Sequence, residues 1–237
     1  MAKKYDLVIV GGGPAGLMAA RVAGENGLKA ALLERKTDIT RVRRVDGGGL
    51  VPINEYMSDE ILTFSPEVKR IGLPVDGFSV NYDGPYQDMY GFRFYSPGGR
   101  HFAFGDFEEL KKDPVRNRKG VAIDKELLLK GLLEEVEAIG VDIFPGTNVT
   151  GIEKKNNGVA VTGNGKTFEG TFVIAADGVN SRIAQQMGMN KERKFVGMLA
   201  DRVWQLEGID LPQVAGISFI FTTYGMFFVT TVADKNI

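Results

Sequence analysis

Three glycines, a glutamate and an aspartate carry the chemistry that the chain advertises. Gly11, Gly13 and Gly16 stand in the spacing Gly-x-Gly-x-x-Gly, directly after the β-branched run Val8-Ile9-Val10. Such a run suits a buried parallel strand. Gly11 lets the chain turn sharply, Gly13 lets a pyrophosphate approach the backbone, and Gly16 lets the next helix pack close to the strand. Pro14 has the fixed φ of a first helical residue. The helix start then offers N–H groups and the positive end of its dipole to phosphate oxygens. Lys29 to Glu34 reads as a second strand, and Glu34 falls 18 residues beyond Gly16. An acidic side chain there accepts hydrogen bonds from ribose hydroxyls.

The second carboxylate comes late. Thr171 to Ala176 reads as another buried strand, ending in Asp177-Gly178-Val179-Asn180-Ser181-Arg182. The C-terminal end of a parallel strand is where open α/β sheets bind ligands. Between the two sites runs a loop with Arg35, Arg41, Arg43, Arg44 and the triplet Gly47-Gly48-Gly49. Arginines suit phosphate oxygens, and glycines admit a flat ligand close to the backbone. A solvated basic loop is the alternative reading.

Composition narrows the classes. A net charge of −1 excludes the basic excess that nucleic-acid binding needs. The absence of cysteine excludes disulfides, thiolate metal sites and cysteinyl cofactor attachment. A single histidine, His101, argues against a histidine metal site or a Ser–His triad. No metal ligand set is expected. No apolar run reaches the ~18 residues of a membrane span. The cytoplasm is the simplest location, with contact at a membrane surface left open.

The elements that must position these residues follow in order. A helix is expected over 14–26, stopped by Gly27, and a strand over 29–34. Ten aromatic residues fall between Phe78 and Phe107, with Tyr90, Phe92 and Phe94 alternating, and Phe102 and Phe104 likewise. Ser96-Pro97-Gly98-Gly99-Arg100 marks a turn between them, so an inserted antiparallel hairpin is expected. Its aromatics serve either as core or as an apolar wall for a flat or hydrophobic substrate. A helix over 124–139 has Asp124 as its N-cap, and a strand of the parallel sheet follows over 141–144. Segments 149–163 and 166–169 read as a meander with turns at Asn156-Asn157-Gly158 and Gly163-Asn164-Gly165. The stretches 195–206, 216–223 and 226–232 are β-rich. The expected fold is mixed α/β. Residues 1–77 with 108–190 form a Rossmann-like domain, and 78–107 with 191–237 form part of a β-rich substrate domain.

The fingerprint with Glu34, followed by Ala176-Asp177-Gly178-x-x-Ser181-Arg182, resembles the flavoprotein group of para-hydroxybenzoate hydroxylase and the geranylgeranyl reductases. The stretch Gly47-Gly48-Gly49-Leu50 and the lack of hydroxylase-specific features make it more similar to the geranylgeranyl reductase branch. The resemblance covers essentially the whole chain, but only the first part of the family fold. It implies that Gly11, Gly13, Pro14, Ala15 and Gly16 hold the FAD pyrophosphate. Glu34 then binds the adenosine ribose, with Arg35 beside the adenine and the Val149 backbone meeting it. Asp177 and Gly178 lie near the FAD phosphates, and Arg43 or Arg44 with Gly48 and Gly49 along the flavin side. Lys125 stands where many relatives carry an arginine. The family's later Gly-Asp segment has no counterpart between 192 and 237.

The implied function is an FAD-dependent oxidoreductase that reduces a carbon–carbon double bond in an apolar, isoprenoid-like substrate, with NAD(P)H as a candidate electron donor. Two alternatives stay open: a flavin monooxygenase, and a non-catalytic or split nucleotide-binding module. The latter needs a second polypeptide, or a second copy of the chain, at an exposed sheet edge. No catalytic residue is named. His101 faces the flavin in one reading and is structural in the other.

Overall fold

The computed structural model describes residues 3–42, 48–105, 108, 112–194, 196–197, 202–204, 206, 208 and 216–233. It divides into two compact units. One comprises Met1–Arg41 and Leu129–Ala200, the other Val42–Leu128 and Asp201–Ile237.

The first unit is built on a six-stranded sheet. Its order is Asp142–Phe144, Ala30–Leu33, Lys4–Val10, Lys166–Ala175, Gly158–Gly163 and Val149–Lys155. The first four strands run parallel, and the last two pair antiparallel. Val8, Ile9, Ala31 and Leu32 are fully enclosed, as central strands covered on both faces require. The helix Pro14–Glu25 buries Leu17 and Ala20, three residues apart on one side. Gly27 follows it at φ 73°, the left-handed stop expected there. The helix Lys125–Ile139, which enters this unit at Leu129, buries Leu129, Leu132 and Val136. Asp124 caps it, its Oδ1 accepting from the N–H of Glu126 at 2.8 Å and of Leu127 at 3.3 Å.

Two expectations need correction in this unit. Residues 166–169 and 171–176 are not separate strands, because Lys166–Ala175 runs without a break. Gly170 pairs with Val159 on one side and Tyr5 on the other, so the same strand closes a hairpin and joins the parallel sheet. Its last turn of chain is also not buried throughout: Phe172 is 69% and Ile174 36% exposed. An apolar run identifies a strand but not whether something covers each of its faces.

The second unit holds several small sheets. Thr63–Ser65, Arg70–Leu73 and Phe78–Asn81 form one, and Gly49–Leu50, Gly120–Ile123 and Tyr86–Met89 another. Ile53, Phe64, Ile71, Tyr82, Val121 and Ile123 make their core. A four-stranded sheet has the order His101–Phe104, Phe92–Tyr95, Ile217–Phe221, Met226–Thr230. The expected hairpin is therefore real only over 92–104, closed by Ser96 N–H to Arg100 O at 2.8 Å. Phe78–Asn81 and Tyr86–Met89 belong to the other two sheets, since alternation predicts a strand without naming its partner. Val42 and residues 48–77 fall in this unit. The strand expected over 195–206 falls partly outside the described residues, and the described ones there are in no strand.

Candidate functional site

In the first unit the fingerprint is a backbone cradle. Gly11 has φ 109°, and a β-carbon on it would lie 2.2 Å from the carbonyl oxygen of Ala176. The sharp turn after the first strand thus rides directly over the residue before Asp177. A β-carbon on Gly16 would lie 1.8 Å from the Gly11 carbonyl oxygen. At Gly13 the same construction meets nothing within 4 Å. Gly13 is the N-cap of the helix and supplies no side-chain cap, with Pro14 at the first helical position. Pro14 and Ala15 are exposed. The helix start therefore faces open space with its dipole end uncapped by any side chain, the arrangement that receives an anion.

Glu34 closes the other side. Its carboxylate is buried and accepts from the N–H of Gly12 at 2.6 Å and of Lys36 at 2.8 Å. Its backbone is held in turn, Glu34 N–H donating to Phe144 O at 3.1 Å and Thr147 N–H to Glu34 O at 2.7 Å. The carboxylate is fixed against the glycine turn and keeps acceptor capacity for hydroxyls. Arg35 beside it is exposed. Val149 pairs with Gly163 and packs its half-buried side chain on the sheet's core.

Asp177 sits at the end of the neighbouring strand. Its Oδ2 accepts from the N–H of Arg182 at 2.8 Å and of Ile183 at 3.4 Å, starting the helix Arg182–Gln186 together with the Ser181 cap. Its Oδ1 is buried with no hydrogen-bond partner among the described residues. Gly178 turns at φ 93° with open space around it. A lone buried carboxylate oxygen calls for a donor such as a ligand hydroxyl. An open glycine cradle, an uncapped helix start, a fixed acid and an orphaned acceptor in one unit suit a dinucleotide with hydroxylated sugars.

The remaining expected residues lie elsewhere. Gly48 and Gly49 belong to the second unit. Gly48 takes φ 55°, a β-carbon there would lie 2.4 Å from Ile123 O, and Gly49 pairs with Ala122. Arg43 and Arg44 lie outside the described residues. His101 is exposed, its ring centroid 5.2 Å from that of Tyr95.

The second unit contributes an aromatic face. Cross-strand register places Phe102, Phe94, Phe219 and Phe228 in a row across four strands, with Phe92, Phe104 and Phe221 on the same side. Phe94 stacks on Phe102 at 5.0 Å and on Phe219 at 4.8 Å between centroids. Phe102, Phe104, Phe221 and Phe228 are exposed.

Sequence reasoning missed one cluster. Arg118 is only 3% exposed, its guanidinium 5.6 Å from the Phe64 ring centre and 3.2 Å from Asp88 Oδ1. Arg118 Nε and Nη1 and Asp88 Oδ1 are buried outside hydrogen-bond geometry. Tyr90 O–H donates to Asp88 Oδ2 at 3.1 Å. Burial, then the Asp88 charge, pushes the Tyr90 phenol up to about 12. The 30-residue separation of Asp88 and Arg118 leaves no local signal.

A family model described as FAD dependent oxidoreductase matches residues 106–235, and one described as FAD binding domain matches residues 4–50. The chain belongs to the FAD-dependent oxidoreductases. Its relatives in this family include the digeranylgeranylglycerophospholipid reductase of Methanocella arvoryzae, 26% identical over 201 residues, or 82% of this chain and 44% of the relative. The chain spans about half the length of the curated relatives that it matches. Among solved structures, the geranylgeranyl bacteriochlorophyll reductase-like protein of Thermoplasma acidophilum superposes with a TM-score of 0.67 at 21% identity, covering 98% of this chain and 54% of the other. The p-nitrophenol 4-monooxygenase PnpA of Pseudomonas putida gives 0.51 at 17%, covering 79% and 44%. Both share the fold of this FAD-dependent oxidoreductase.

Proposed function

We propose that this chain supplies the FAD-binding unit and the substrate-facing sheet of an oxidoreductase that reduces carbon–carbon double bonds in an isoprenoid-like chain. Gly11, Gly13, Pro14, Ala15 and Gly16 receive the pyrophosphate. The Glu34 carboxylate takes the adenosine ribose, with Arg35 and the Val149 backbone toward the adenine. Asp177 Oδ1 accepts from a cofactor hydroxyl, and Gly178 leaves room for it. Gly48 and Gly49, with Arg43 or Arg44, are assigned to the flavin side. Bound FAD supplies two-electron redox chemistry, and the protein supplies binding, orientation and the exclusion of water.

The observation that carries the substrate class is the row Phe102, Phe94, Phe219 and Phe228. A face of stacked rings without a charged side chain offers area to an apolar chain and nothing to a polar one. The name of the digeranylgeranylglycerophospholipid reductases among the relatives supports an isoprenoid lipid.

The test combines spectroscopy with product analysis. The purified chain should show a bound-flavin spectrum with FAD. With NAD(P)H or a chemical reductant under anaerobic conditions, a geranylgeranyl lipid should gain two hydrogens per double bond. Oxygen-dependent hydroxylation of the substrate would replace this reading with the monooxygenase one, which the likeness in fold to PnpA favours. Flavin binding with turnover only after a second polypeptide is added would mark a split module.

A further inference from the structure

The start of the helix Lys125–Ile139 holds a loop that is remote in sequence by its backbone. Asp124 is the N-cap, and an acid near a helix start often folds back onto the N-cap N–H. Here that N–H is already used: it donates to Tyr82 Oη at 2.8 Å, and the Tyr82 hydroxyl donates in turn to Pro85 O at 2.5 Å. Tyr82 is buried, so this arrangement is part of the core. Glu126, the acid of the first turn, is thereby released to reach elsewhere. Its Oε1 accepts from the N–H of Val42, 84 residues away, at 2.8 Å. The positive end of the helix dipole favours the charged carboxylate there, and a charged acceptor makes the stronger hydrogen bond.

The other end of the same loop is tied to the residue before the cap. Ile123 N–H donates to Gly48 O at 2.8 Å. Gly48 stands at φ 55°, and a β-carbon on it would lie 2.4 Å from Ile123 O. Gly49 and Leu50 then pair with Ala122 and Val121. Val42 and Gly48, which flank Arg43 to Gly47 in sequence, are thus both fastened to residues 123–126. A glycine-rich stretch tied at both ends has already given up part of the conformational entropy that meeting a ligand costs. We infer that Glu126 is a positioning residue for the flavin: through Val42 it fixes the course of the backbone that leads to Gly48 and Gly49. This rests on the assignment of Gly48 and Gly49 to the flavin side in the proposed function.

Two readouts test it, one of them without cofactor. Trypsin cleaves after arginine where the local backbone opens. In the cofactor-free full chain, Glu126→Ala should speed cleavage after Arg41, Arg43 or Arg44 about tenfold, since a hydrogen bond to a charged acceptor is lost. Glu126→Gln keeps an acceptor oxygen at the same reach and should stay within about threefold of the native rate. Calorimetric titration then compares FAD with ADP, which carries the adenosine and the pyrophosphate but no flavin. Glu126→Ala should weaken FAD about tenfold and leave ADP unchanged, and Glu126→Gln should restore FAD. Unchanged cleavage in Glu126→Ala overturns the fastening. Equal losses for ADP and FAD, or no loss for either, overturn the positioning role while the native chain still binds both. A native chain that binds neither ADP nor FAD overturns the proposed function and the positioning role with it, and the cleavage rates still decide whether Glu126 fastens Val42.

Discussion

Gly16 meets Gly11 so closely that no side chain fits between them: a β-carbon on Gly16 would stand 1.8 Å from the Gly11 carbonyl oxygen. Gly13, between them, faces open space. The two outer glycines serve the fold, and the middle one leaves room for a ligand. Gly16→Ala should destabilise the chain by about 3 kcal/mol, the upper end of the usual cost of overpacking, because the obstacle is backbone that cannot swing aside. Gly13→Val should leave the melting temperature nearly unchanged and abolish FAD retention. Thermal unfolding together with the flavin spectrum separates the two. A Gly13→Val protein that purifies yellow would refute the assignment.

Glu34 holds two backbone donors and is, in the proposed function, the ribose acceptor. Glu34→Ala should strand the Gly12 and Lys36 N–H groups, lowering stability by about 2–3 kcal/mol. Glu34→Lys should also abolish FAD binding by calorimetric titration. Unchanged affinity in the folded Glu34→Lys variant would remove Glu34 from the site.

Asp177 divides its labour between its two oxygens. Oδ2 starts a short helix, and Oδ1 waits for a donor. Asp177→Asn keeps one oxygen for the helix but loses the charge. It should weaken FAD binding about tenfold or more with under ~1 kcal/mol of destabilisation, since a hydrogen bond to a charged acceptor is worth ~1.5–3 kcal/mol. Equal losses in binding and stability would make its role purely structural.

The Arg118–Asp88 pair is enclosed, so breaking it is costly. Arg118→Met leaves the Asp88 carboxylate without its cation and should cost about 3–5 kcal/mol. Asp88→Leu in the same chain should recover part of that loss. In an ultraviolet titration of the native chain, the Tyr90 phenol should resist ionisation until about pH 12.

Asp142 contributes to the acid limb of the stability curve. Lys3 donates to its Oδ2, as does Tyr5 O–H at 2.8 Å, and the Lys3 hydrogen bond is the leading cause that holds this carboxyl below its ordinary value. A depressed folded pKa gives stability that is present above the unfolded value, about 4, and is lost as pH falls through the folded one. Asp142→Asn should therefore lower stability at neutral pH by ~1 kcal/mol or less and flatten its fall below about pH 4. Urea titrations at pH 3 and pH 7 measure both.

The sequence made some of this legible and hid the rest for physical reasons. Gly11, Gly13, Gly16 and Glu34 were readable because strand, turn and helix are contiguous, and their spacing is itself the geometry. Asp124 as a cap and Asn164-Gly165 as a turn are local in the same sense, Asn164 taking φ 49° and Gly165 φ 74°. The pairing of Phe92–Tyr95 with Ile217–Phe221 was not readable, because periodicity sets a strand's faces and not its neighbour. Nor was the exposure of Phe172, which depends on what lies over the sheet. Arg118 and Asp88 meet only through tertiary packing, so their chemistry had no spacing to betray it.

The strand order of the first unit also sets a timetable. Lys4–Val10 leaves the ribosome well before one of its two sheet neighbours, Lys166–Ala175, which lies far downstream in the chain. At roughly 5–20 residues per second the nascent chain must carry that open edge for about 10–30 s. During this interval Val8, Ile9 and Val10 can borrow a wrong strand from a neighbouring nascent chain. Slower growth at low temperature should lengthen the exposure, so the yield of soluble protein depends on what shields residues 4–10 during synthesis as well as on the stability of the finished sheet.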